Sequence, residues 1–432
     1  MPSRSEVFYF GAGPAPLPTP VLEAGARAFV NYEDSGLSLA EISHRSPTAN
    51  KILADTKAAL ASLLDIPTDE YEIIFMHGGG SGEFSAVVFN MAAYWVEQRR
   101  GAAEKDLGPG NEAAVLERVR EEVRRDLKFD YLVTGSWSLK ASQEAANLLA
   151  PLADGADGKA FVNIATDARN EREGKFGTIP QEQEWKLTDQ SKVPSGFVYY
   201  CDNETVDGVE FPAFPAALEG RPGEAERLIV ADMSSNFLTR KVDVRKHAVI
   251  FGGAQKNIGI TDVTITIVRK DILNSIPDPT FLHKVGVWSP PVVLNWAVVA
   301  KNNSLYNTMP IFSIWIAGEV MRGLLASHGD QKVSGQERVT DDKARLLYGI
   351  LDKHSAFYKV VPDSSCRSRM NICFRIGGGP EAEKGFLEGA EKRNLQGLKG
   401  HRSVGGIRIS NYNAVTMEAV EKLAQYLEEA AQ

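Results

Sequence analysis

The sequence predicts an α/β protein in which a large domain, built on a mostly parallel seven-stranded sheet, is followed by a smaller α+β domain. Three observations support this prediction. The chain has 432 residues, too many for one ordinary core, and 43% of them are hydrophobic. Short apolar runs alternate with stretches of helical periodicity. This pattern changes near residue 326, so we expect a large domain at 16–325 and a small domain formed by 1–15 and 326–432.

Two helices are expected before the sheet begins. Pro20 suits the first turn of a helix, which should continue to Val30, and a second helix is expected over residues 49–64. The loop between them contains His44 and Arg45. Adjacent His and Arg side chains are usually just solvated, but they are also the donors that an anion site uses.

Seven apolar runs account for the strands of the large domain. Several are almost continuously apolar, as is typical of parallel strands that are covered on both faces. In chain order the runs are residues 71–76, 129–134, 161–166, 197–201, 228–231, 248–251 and 263–268. Open α/β sheets bind ligands at the carboxyl edge, so the residues that follow these runs are the candidates for a site.

A glycine-rich stretch at residues 77–82 joins the first strand to a helix, since apolar residues from Phe84 to Trp95 recur at helical spacing. Such a junction presents free backbone N–H groups and the positive end of the helix dipole, which together suit a phosphate. The glycines follow neither the P-loop nor the Rossmann pattern, so they do not identify a nucleotide site.

Residues 101–128 are interpreted as an inserted, solvated surface element with no chemistry of its own. Gly101 and the Gly108-Pro-Gly turn open this element. A helix rich in Glu and Arg follows, with only a narrow apolar stripe from Val115 to Leu127.

Polar side chains follow the later strands. Asp232 ends one strand, and Lys256 follows the glycines that end the next. We expect a strand-helix-strand unit between them, which would place both at one edge of the sheet. A partly desolvated lysine is an amine that can condense with an aldehyde, although a lone lysine or aspartate here is more often a surface or turn residue. Trp137, after another strand, has a flat face that suits an aromatic ring.

The small domain carries a second candidate anion site. Its expected elements are helices at residues 336–353, 381–393 and 417–430 and strands at 371–376 and 406–410. Among them, His401, Arg402 and Arg408 surround a glycine hinge. Basic side chains grouped in this way are suited to a carboxylate or a phosphate.

Composition argues against several classes of function. The formal net charge of −8 disfavours nucleic acid as a partner, because phosphate backbones are bound by basic patches. Three cysteines without metal-ligand spacing predict neither a disulfide framework nor a metal site, and they favour the cytoplasm. We recognise no secretory or organellar signal, and polar residues within 310–326 favour a buried helix over a membrane span.

Six stretches together resemble the phosphoserine aminotransferases, which are class V aminotransferases of fold type I that use pyridoxal 5'-phosphate. They are Ser43-His-Arg, His77-Gly-Gly-Gly, Asn203-Glu-Thr-Val-Asp-Gly, Gly253-Ala-Gln-Lys-Asn-Ile-Gly, Tyr306-Asn-Thr-Met-Pro and Lys399-Gly-His-Arg. Each stretch is weak alone, but their order and spacing extend the resemblance over nearly the whole chain, apart from residues 101–128. The resemblance implies the fold-type I aminotransferase architecture.

The resemblance also implies how the cofactor is bound. Lys256 would form the Schiff base and move the substrate proton as general base and acid. Asp232 would pair with the pyridinium nitrogen, and Trp137 would stack on the ring. The further cofactor-binding residues would be Gly80, Ser81, Thr205, Gln255, Asn307 and Thr308. The last two would reach the phosphate from a second subunit, which implies a homodimer with shared active sites.

For the substrates, the resemblance implies Arg408 at the α-carboxylate. It implies that the side-chain anion is bound by His44, Arg45, His401 and Arg402, whose two clusters would converge when the domains close. The implied reaction is reversible transamination between 3-phosphohydroxypyruvate and glutamate in serine biosynthesis. The phosphohydroxythreonine step of vitamin B6 synthesis is a second candidate reaction.

Two alternative functions stay open at this point. Another enzyme of the same fold, such as a cysteine desulfurase, needs a thiol on a mobile loop, and Cys366 lies in a candidate loop. The chain could also be a catalytically silent binding protein. The presence of Lys256, Asp232 and Trp137 together argues against that reading.

Overall fold

The computed structural model describes residues 3–152, 158–192, 194–221 and 223–432. Its helices are α1 Thr19–Val30, α2 Pro47–Leu64, α3 Gly79–Leu107, α4 Glu112–Asp126, α5 Ser136–Leu149, α6 Lys270–Asn274, α7 Pro279–Lys284, α8 Trp296–Lys301, α9 Ile311–His328, α10 Lys332–Lys353, α11 Pro380–Glu391 and α12 Met417–Ala430. Its strands are β1 Phe8–Tyr9, β2 Tyr71–Met76, β3 Phe129–Val133, β4 Val162–Asp167, β5 Phe197–Cys201, β6 Asn203–Glu204, β7 Val209–Glu210, β8 Ile229–Asp232, β9 Val249–Gly253, β10 Thr264–Arg269, β11 Tyr358–Val360, β12 Asn371–Ile376, β13 Leu395–Gln396 and β14 Ile407–Ser410.

The large sheet has seven strands in the order β2-β10-β9-β8-β5-β3-β4. Strand β10 runs antiparallel to both of its neighbours, and the other pairs are parallel. This arrangement confirms the predicted mostly parallel α/β fold. Each of the seven apolar runs forms a strand, with ends displaced by at most two residues. Apolar runs bounded by turn residues are therefore a sufficient signal for these buried strands.

The expectation of a helix between each later pair of strands is wrong. From β4 to β9, the described connections contain loops, short 3₁₀ turns and the two-residue strands β6 and β7, but no α-helix. Their apolar side chains, such as Phe211, Phe237 and Leu238, are buried against the sheet without forming a helical stripe. These loops cover one face of the sheet directly, together with α2 and α9.

The interpretation of residues 101–128 also needs correction. Helix α3 continues through Gly101 to Leu107, so the glycine does not open a separate element. Helix α4 is not merely solvated, because Val115 and Val119 are buried in the core beneath the opposite face of the sheet. A single glycine costs a helix only about 1 kcal/mol, which tertiary packing offsets. A narrow apolar stripe is enough when the partner is one neighbouring helix.

A second core lies in the small domain, around an antiparallel sheet in the order β11-β12-β14 and helices α10, α11 and α12. Phe10, near the start of the chain, is fully buried in this core, and β1 pairs with β13. These contacts support the predicted domain boundaries, which stay a prediction. Among the described residues, no helix is both long and apolar enough to span a bilayer.

Candidate active site

The carboxyl edge of the large sheet borders a cavity of about 460 Å³. The residues of the predicted site that line it are Gly80, Ser81, Trp137, Thr205, Asp232, Gln255, Lys256, His401 and Arg408. A larger cleft of about 1260 Å³, between the α3–α4 turn and α7, contains none of them. The chemistry-bearing residues therefore converge on the smaller cavity, at the edge where α/β sheets bind ligands.

Lys256 follows strand β9 and extends into the cavity. Its Nζ donates a hydrogen bond to Oγ1 of Thr205 at 2.7 Å. Burial lowers the pKa of Lys256 to about 8, although the nearby carboxylate of Asp232 favours the charged form. An appreciable fraction of this amine is therefore neutral just above neutral pH and available as a nucleophile or base.

Asp232 ends strand β8 and is 4% exposed. Its Oδ1 accepts hydrogen bonds from the backbone N–H and the hydroxyl of Ser234, at 2.9 and 2.6 Å, and its Oδ2 accepts one from the hydroxyl of Tyr199 at 3.3 Å. Burial raises the pKa of Asp232, and the bonds from Ser234 act in the opposite direction. The result is a buried carboxylate held in one orientation, suited to pair with a cation.

The expected strand-helix-strand unit between Asp232 and Lys256 is not formed. A loop with a short 3₁₀ turn at Val244–Lys246 connects the two strands. Strands β8 and β9 are nevertheless parallel neighbours, with Asp232 opposite Phe251. Parallel strands end at the same edge whatever joins them, so both residues still line one cavity.

The glycine-rich stretch forms the start of helix α3. Gly78 has a φ of 98°, and no side chain caps the helix. The first backbone bond runs from the N–H of Gly82 to the carbonyl of Gly78 at 3.0 Å. The N–H groups of Gly80 and Ser81 have no partner in the described part of the chain. Free N–H groups at the positive end of a long helix form an anion site.

Trp137 lies in the first turn of α5 and lines the cavity. Its indole Nε1 is buried without a hydrogen-bond partner among the described residues. The Nζ of Lys140 lies 4.2 Å from the centre of its ring. An unpaired buried N–H is costly, so this indole N–H points to an acceptor supplied by a ligand.

Arg408 and His401 bring two basic side chains to the cavity. Arg408 is 9% exposed, and its Nη1 donates to the carbonyl of Thr205 at 3.2 Å. Burial lowers the pKa of His401, and the neighbouring charges of Arg408 and Lys140 lower it further. The charge of Arg408 suits an anionic ligand, and the charge of that ligand would in turn favour protonation of His401.

The remaining predicted site residues are not among those that line the cavity within this one chain. They are His44, Arg45, Arg402, Asn307 and Thr308. Arg45 instead donates to the carbonyl of Leu305 at 3.4 Å, beside the exposed Asn307 and Thr308. Thr308 and Gly78 border a separate cavity of about 340 Å³. Convergence of the two basic clusters by domain closure stays a prediction.

The sequence reasoning missed four residues that shape the site. Tyr199 and Ser234 hold Asp232, whereas Glu204 and Asp207 bond the backbone of the first turn of α5. Glu204 and Asp207 both lie in the Asn203-Glu-Thr-Val-Asp-Gly motif, so the motif itself was a signal that these two acids have a role at the site. Tyr199 gave no signal, because it is one of several aromatic residues in a buried strand.

Comparison with known proteins agrees with this geometry. The family description "Aminotransferase class-V" matches residues 7–106 and 160–423. A relative from Saccharomyces cerevisiae, named phosphoserine aminotransferase, is 40% identical over 99% of this chain and 98% of its own. A Drosophila melanogaster protein of the same name is 38% identical over 98% and 97% of the two chains.

Solved structures of proteins with that name share the fold. The phosphoserine aminotransferase of Bacillus circulans subsp. alkalophilus superimposes with a TM-score of 0.78 and 32% identity over 99% of each chain. The structure described as pyridoxal-phosphate-bound phosphoserine aminotransferase of Trichomonas vaginalis superimposes with a TM-score of 0.77 and is 30% identical in sequence, over 98% of this chain and 99% of that one. From the family match and these full-length similarities, the chain belongs to the class V aminotransferase family.

Proposed function

We propose that the protein is a phosphoserine aminotransferase, which transfers an amino group reversibly between glutamate and 3-phosphohydroxypyruvate to give phosphoserine and 2-oxoglutarate. One observation carries the proposal. Lys256, the buried Asp232 and the uncapped start of α3 converge on one cavity, in a chain similar over its full length to enzymes of that name.

The residues that line the cavity fit pyridoxal 5'-phosphate. The free N–H groups of Gly80 and Ser81 suit its phosphate, with Gln255 beside them. Asp232 suits its ring nitrogen, and the flat face of Trp137 suits its ring. When bound, the cofactor supplies an aldehyde that condenses with amines and a ring that withdraws electrons from the substrate Cα.

Each residue has a definite task in the reaction. Lys256 would remove the proton from the substrate Cα and deliver it to the cofactor carbon C4′, which its lowered pKa allows near neutral pH. Asp232 would keep a proton on the ring nitrogen of the bound cofactor, and the hydrogen bonds from Tyr199 and Ser234 hold its oxygens in place. Thr205 holds the amine of Lys256 in the cavity through its hydroxyl.

Arg408 and His401 select the substrates. The guanidinium of Arg408 binds the α-carboxylate that all the amino acid substrates share. His401 extends the positive surface toward the side-chain anion, with the exposed Arg402 next to it. Both glutamate and phosphoserine carry a second anion, so one basic pocket can serve both halves of the cycle.

The protein functions as a cytoplasmic homodimer with shared active sites. The shared site is supported by the exposure of Asn307 and Thr308 and by the hydrogen bond from Arg45 to Leu305. Thr308 also borders a cavity together with Gly78. A second subunit at this surface would complete the phosphate site. His44 precedes Arg45 in the chain, and its buried Nε2 has no hydrogen-bond partner among the described residues.

The alternatives are less well supported. Cys366 is buried, its thiol contacts the carbonyls of Gly177 and Asp363, and burial raises its pKa to about 11. A desulfurase needs an accessible thiolate, so this cysteine is unsuited to that role. A silent binding protein would not need a lysine with a lowered pKa beside a buried carboxylate.

Turnover of glutamate with 3-phosphohydroxypyruvate tests the activity directly. Lys256→Ala should abolish it while the protein stays folded, and Lys51→Ala, which removes an exposed lysine, should leave it unchanged. Failure of the unmodified protein to form phosphoserine would refute the proposal. Rates with the phosphorylated keto acid related to phosphohydroxythreonine decide whether the vitamin B6 step is also catalysed, and sulfide release from cysteine would favour the desulfurase.

Subunit mixing tests the shared site. Equal amounts of Lys256→Ala and Arg45→Ala protein, unfolded and refolded together, should recover about a quarter of normal activity at low phosphoserine, because one site of each hybrid dimer is intact. Light scattering should give the mass of a dimer. If the activity of the refolded mixture does not exceed that of the Arg45→Ala protein alone, Arg45 belongs to the active site of its own chain or to no active site.

A further inference from the structure

The first turn of helix α5 is held by two buried carboxylates from one short segment. The backbone N–H of Ser136 donates to Oδ2 of Asp207 at 2.7 Å, and those of Trp137 and Ser138 donate to Oε2 and Oε1 of Glu204 at 2.8 and 2.9 Å. Glu204 is fully buried and Asp207 is 6% exposed. We refer to Glu204 and Asp207 as the carboxylate clamp.

The clamp lies closely against the backbone that it holds. A Cβ added at Gly135 would overlap the side chain of Glu204, so only glycine leaves enough room. Burial and, to a smaller extent, the charge of Asp207 together raise the pKa of Glu204 to about 8. Two buried acids are costly in their charged form, and the N–H groups and dipole of α5 offset only part of that cost.

The same segment also contacts the two cations of the cavity. Between the clamp residues, Thr205 accepts from Lys256 through its hydroxyl and from Arg408 through its carbonyl, at 2.7 and 3.2 Å. The side chain of Asn203 bonds Ser235 and Asn371, which anchor the start of the segment. Residues 203–207 are therefore placed to set the position of Trp137 relative to Lys256.

We propose that Glu204 and Asp207 are positioning residues, which hold the first turn of α5 so that the ring of Trp137 lies flat against the cofactor. This inference rests on the proposed function for the identity of the cofactor. The clamp acts through Trp137, because its bonds go to the backbone of that residue and of its two neighbours. It does not itself line the cavity.

A double-mutant cycle between Glu204 and Trp137 tests the proposal. Glutamine keeps one acceptor but turns a donor toward the second N–H, so Glu204→Gln should weaken pyridoxal phosphate binding to the apoprotein about tenfold. Trp137→Ala should weaken it at least as much. If the clamp acts through the ring, Glu204→Gln should cost less than twofold more in the Trp137→Ala background.

Two further variants make the result specific. Asp207→Asn affects one N–H rather than two and should weaken binding by a smaller factor, and it takes the place of Glu204→Gln in the cycle if that variant does not fold. The control is Glu122→Gln. Glu122 is a buried acid that accepts hydrogen bonds from Arg99 of α3 and Arg118 of α4, and it does not line the cavity. The control should lower the melting temperature but leave cofactor affinity within twofold.

A tenfold loss from Glu204→Gln that persists in the Trp137→Ala background would overturn the proposal, because the clamp would then act on overall structure. Unchanged affinity in Glu204→Gln would overturn it as well. The near-UV circular dichroism of the apoprotein gives a reading without cofactor: Glu204→Gln should change the tryptophan bands, and this change should vanish in the Trp137→Ala background. That reading tests the clamp even if the unmodified protein fails to transaminate.

Discussion

Two helices begin at the same edge of the sheet, but the backbone N–H groups of their first turns differ in whether they have hydrogen-bond partners. Helix α3 begins after Gly78 with no side-chain cap, so N–H groups face the cavity. Helix α5 begins after Gly135, and the carboxylates of Glu204 and Asp207 accept from its first three N–H groups. Both helices have the positive end of their dipole at this edge.

The difference shows that a helix end is a ligand site only when the protein leaves it unfilled. The start of α3 lacks an internal anion, so an external phosphate can satisfy its donors. The start of α5 is already satisfied by internal acids. That end can therefore hold a side chain, Trp137, in a defined position instead of binding a ligand.

The strongest way to break this contrast is to fill the open end with a carboxylate. Gly80→Asp should weaken pyridoxal phosphate binding by more than about 100-fold, because the new charge occupies the N–H groups and repels both the phosphate and Asp232. The apoprotein should stay folded with little change in stability, because the favourable helix dipole and the repulsion from Asp232 act in opposite directions. Equilibrium dialysis and thermal melts measure the two effects.

Gly80→Ala is the matched control for that experiment. A Cβ at Gly80 would lie 3.7 Å from Oγ of Ser234 and 3.9 Å from Oδ2 of Asp232, which are ordinary contacts. Cofactor affinity should therefore fall only slightly in this variant. An equally large loss in Gly80→Ala would mean that bulk, not charge, disrupts the site.

The two helix ends should also differ in their response to pH. The pKa of Glu204 is raised to about 8 in the folded protein, above its unfolded value near 4.5, so the folded state favours the protonated acid. The free energy of unfolding should then fall as pH rises from about 4.5 to about 8. Glu204→Gln should show a flatter dependence in this range, measured by denaturant titration of the apoprotein. Equal slopes for the two proteins would exclude Glu204 as the titrating group.

A smaller effect is expected from the glycine that opens α3. Gly78 has a φ of 98°, and an added Cβ would lie 3.0 Å from the Cα of Gly82. Gly78→Ala should cost about 1–3 kcal/mol of stability through backbone strain, and chemical denaturation measures this cost. Gly36 also has a positive φ, but an added Cβ there would meet no other atom. Gly36→Ala should therefore carry only the cost of the positive φ. The difference between the two alanine variants isolates the contact with Gly82.

The smallest effect is expected at Ser81. Its contribution to the anion site is the backbone N–H, so Ser81→Ala should change cofactor affinity less than about twofold. Ser81→Pro, which removes that N–H at a helix position that accepts proline, should weaken binding more. A large loss in Ser81→Ala would assign the hydroxyl a role that the open helix end does not require.

Much of the fold and site was predictable because the signals are local. The seven strands follow from apolar runs. Asp232 was recognisable because it comes directly after such a run, and Lys256 because it follows the glycines that end the next one. The glycines at 77–82 indicated a helix start in the same way. In each case neighbouring residues in sequence specify both the element and the place where it ends.

Other features were decided only by the tertiary structure. Glu204 accepts a hydrogen bond from Trp137, which lies 67 positions away in the sequence, and Asp232 accepts one from Tyr199, which lies 33 positions away. The loops between β4 and β9 cover a sheet face where helices were expected, and α4 packs on α3 although its pattern suggested a solvated helix. Sequence determines which side chains can donate, accept or be buried. Which of many equivalent groups become partners depends on long-range packing, because burial excludes water and leaves each polar group only the partners that the fold brings within reach.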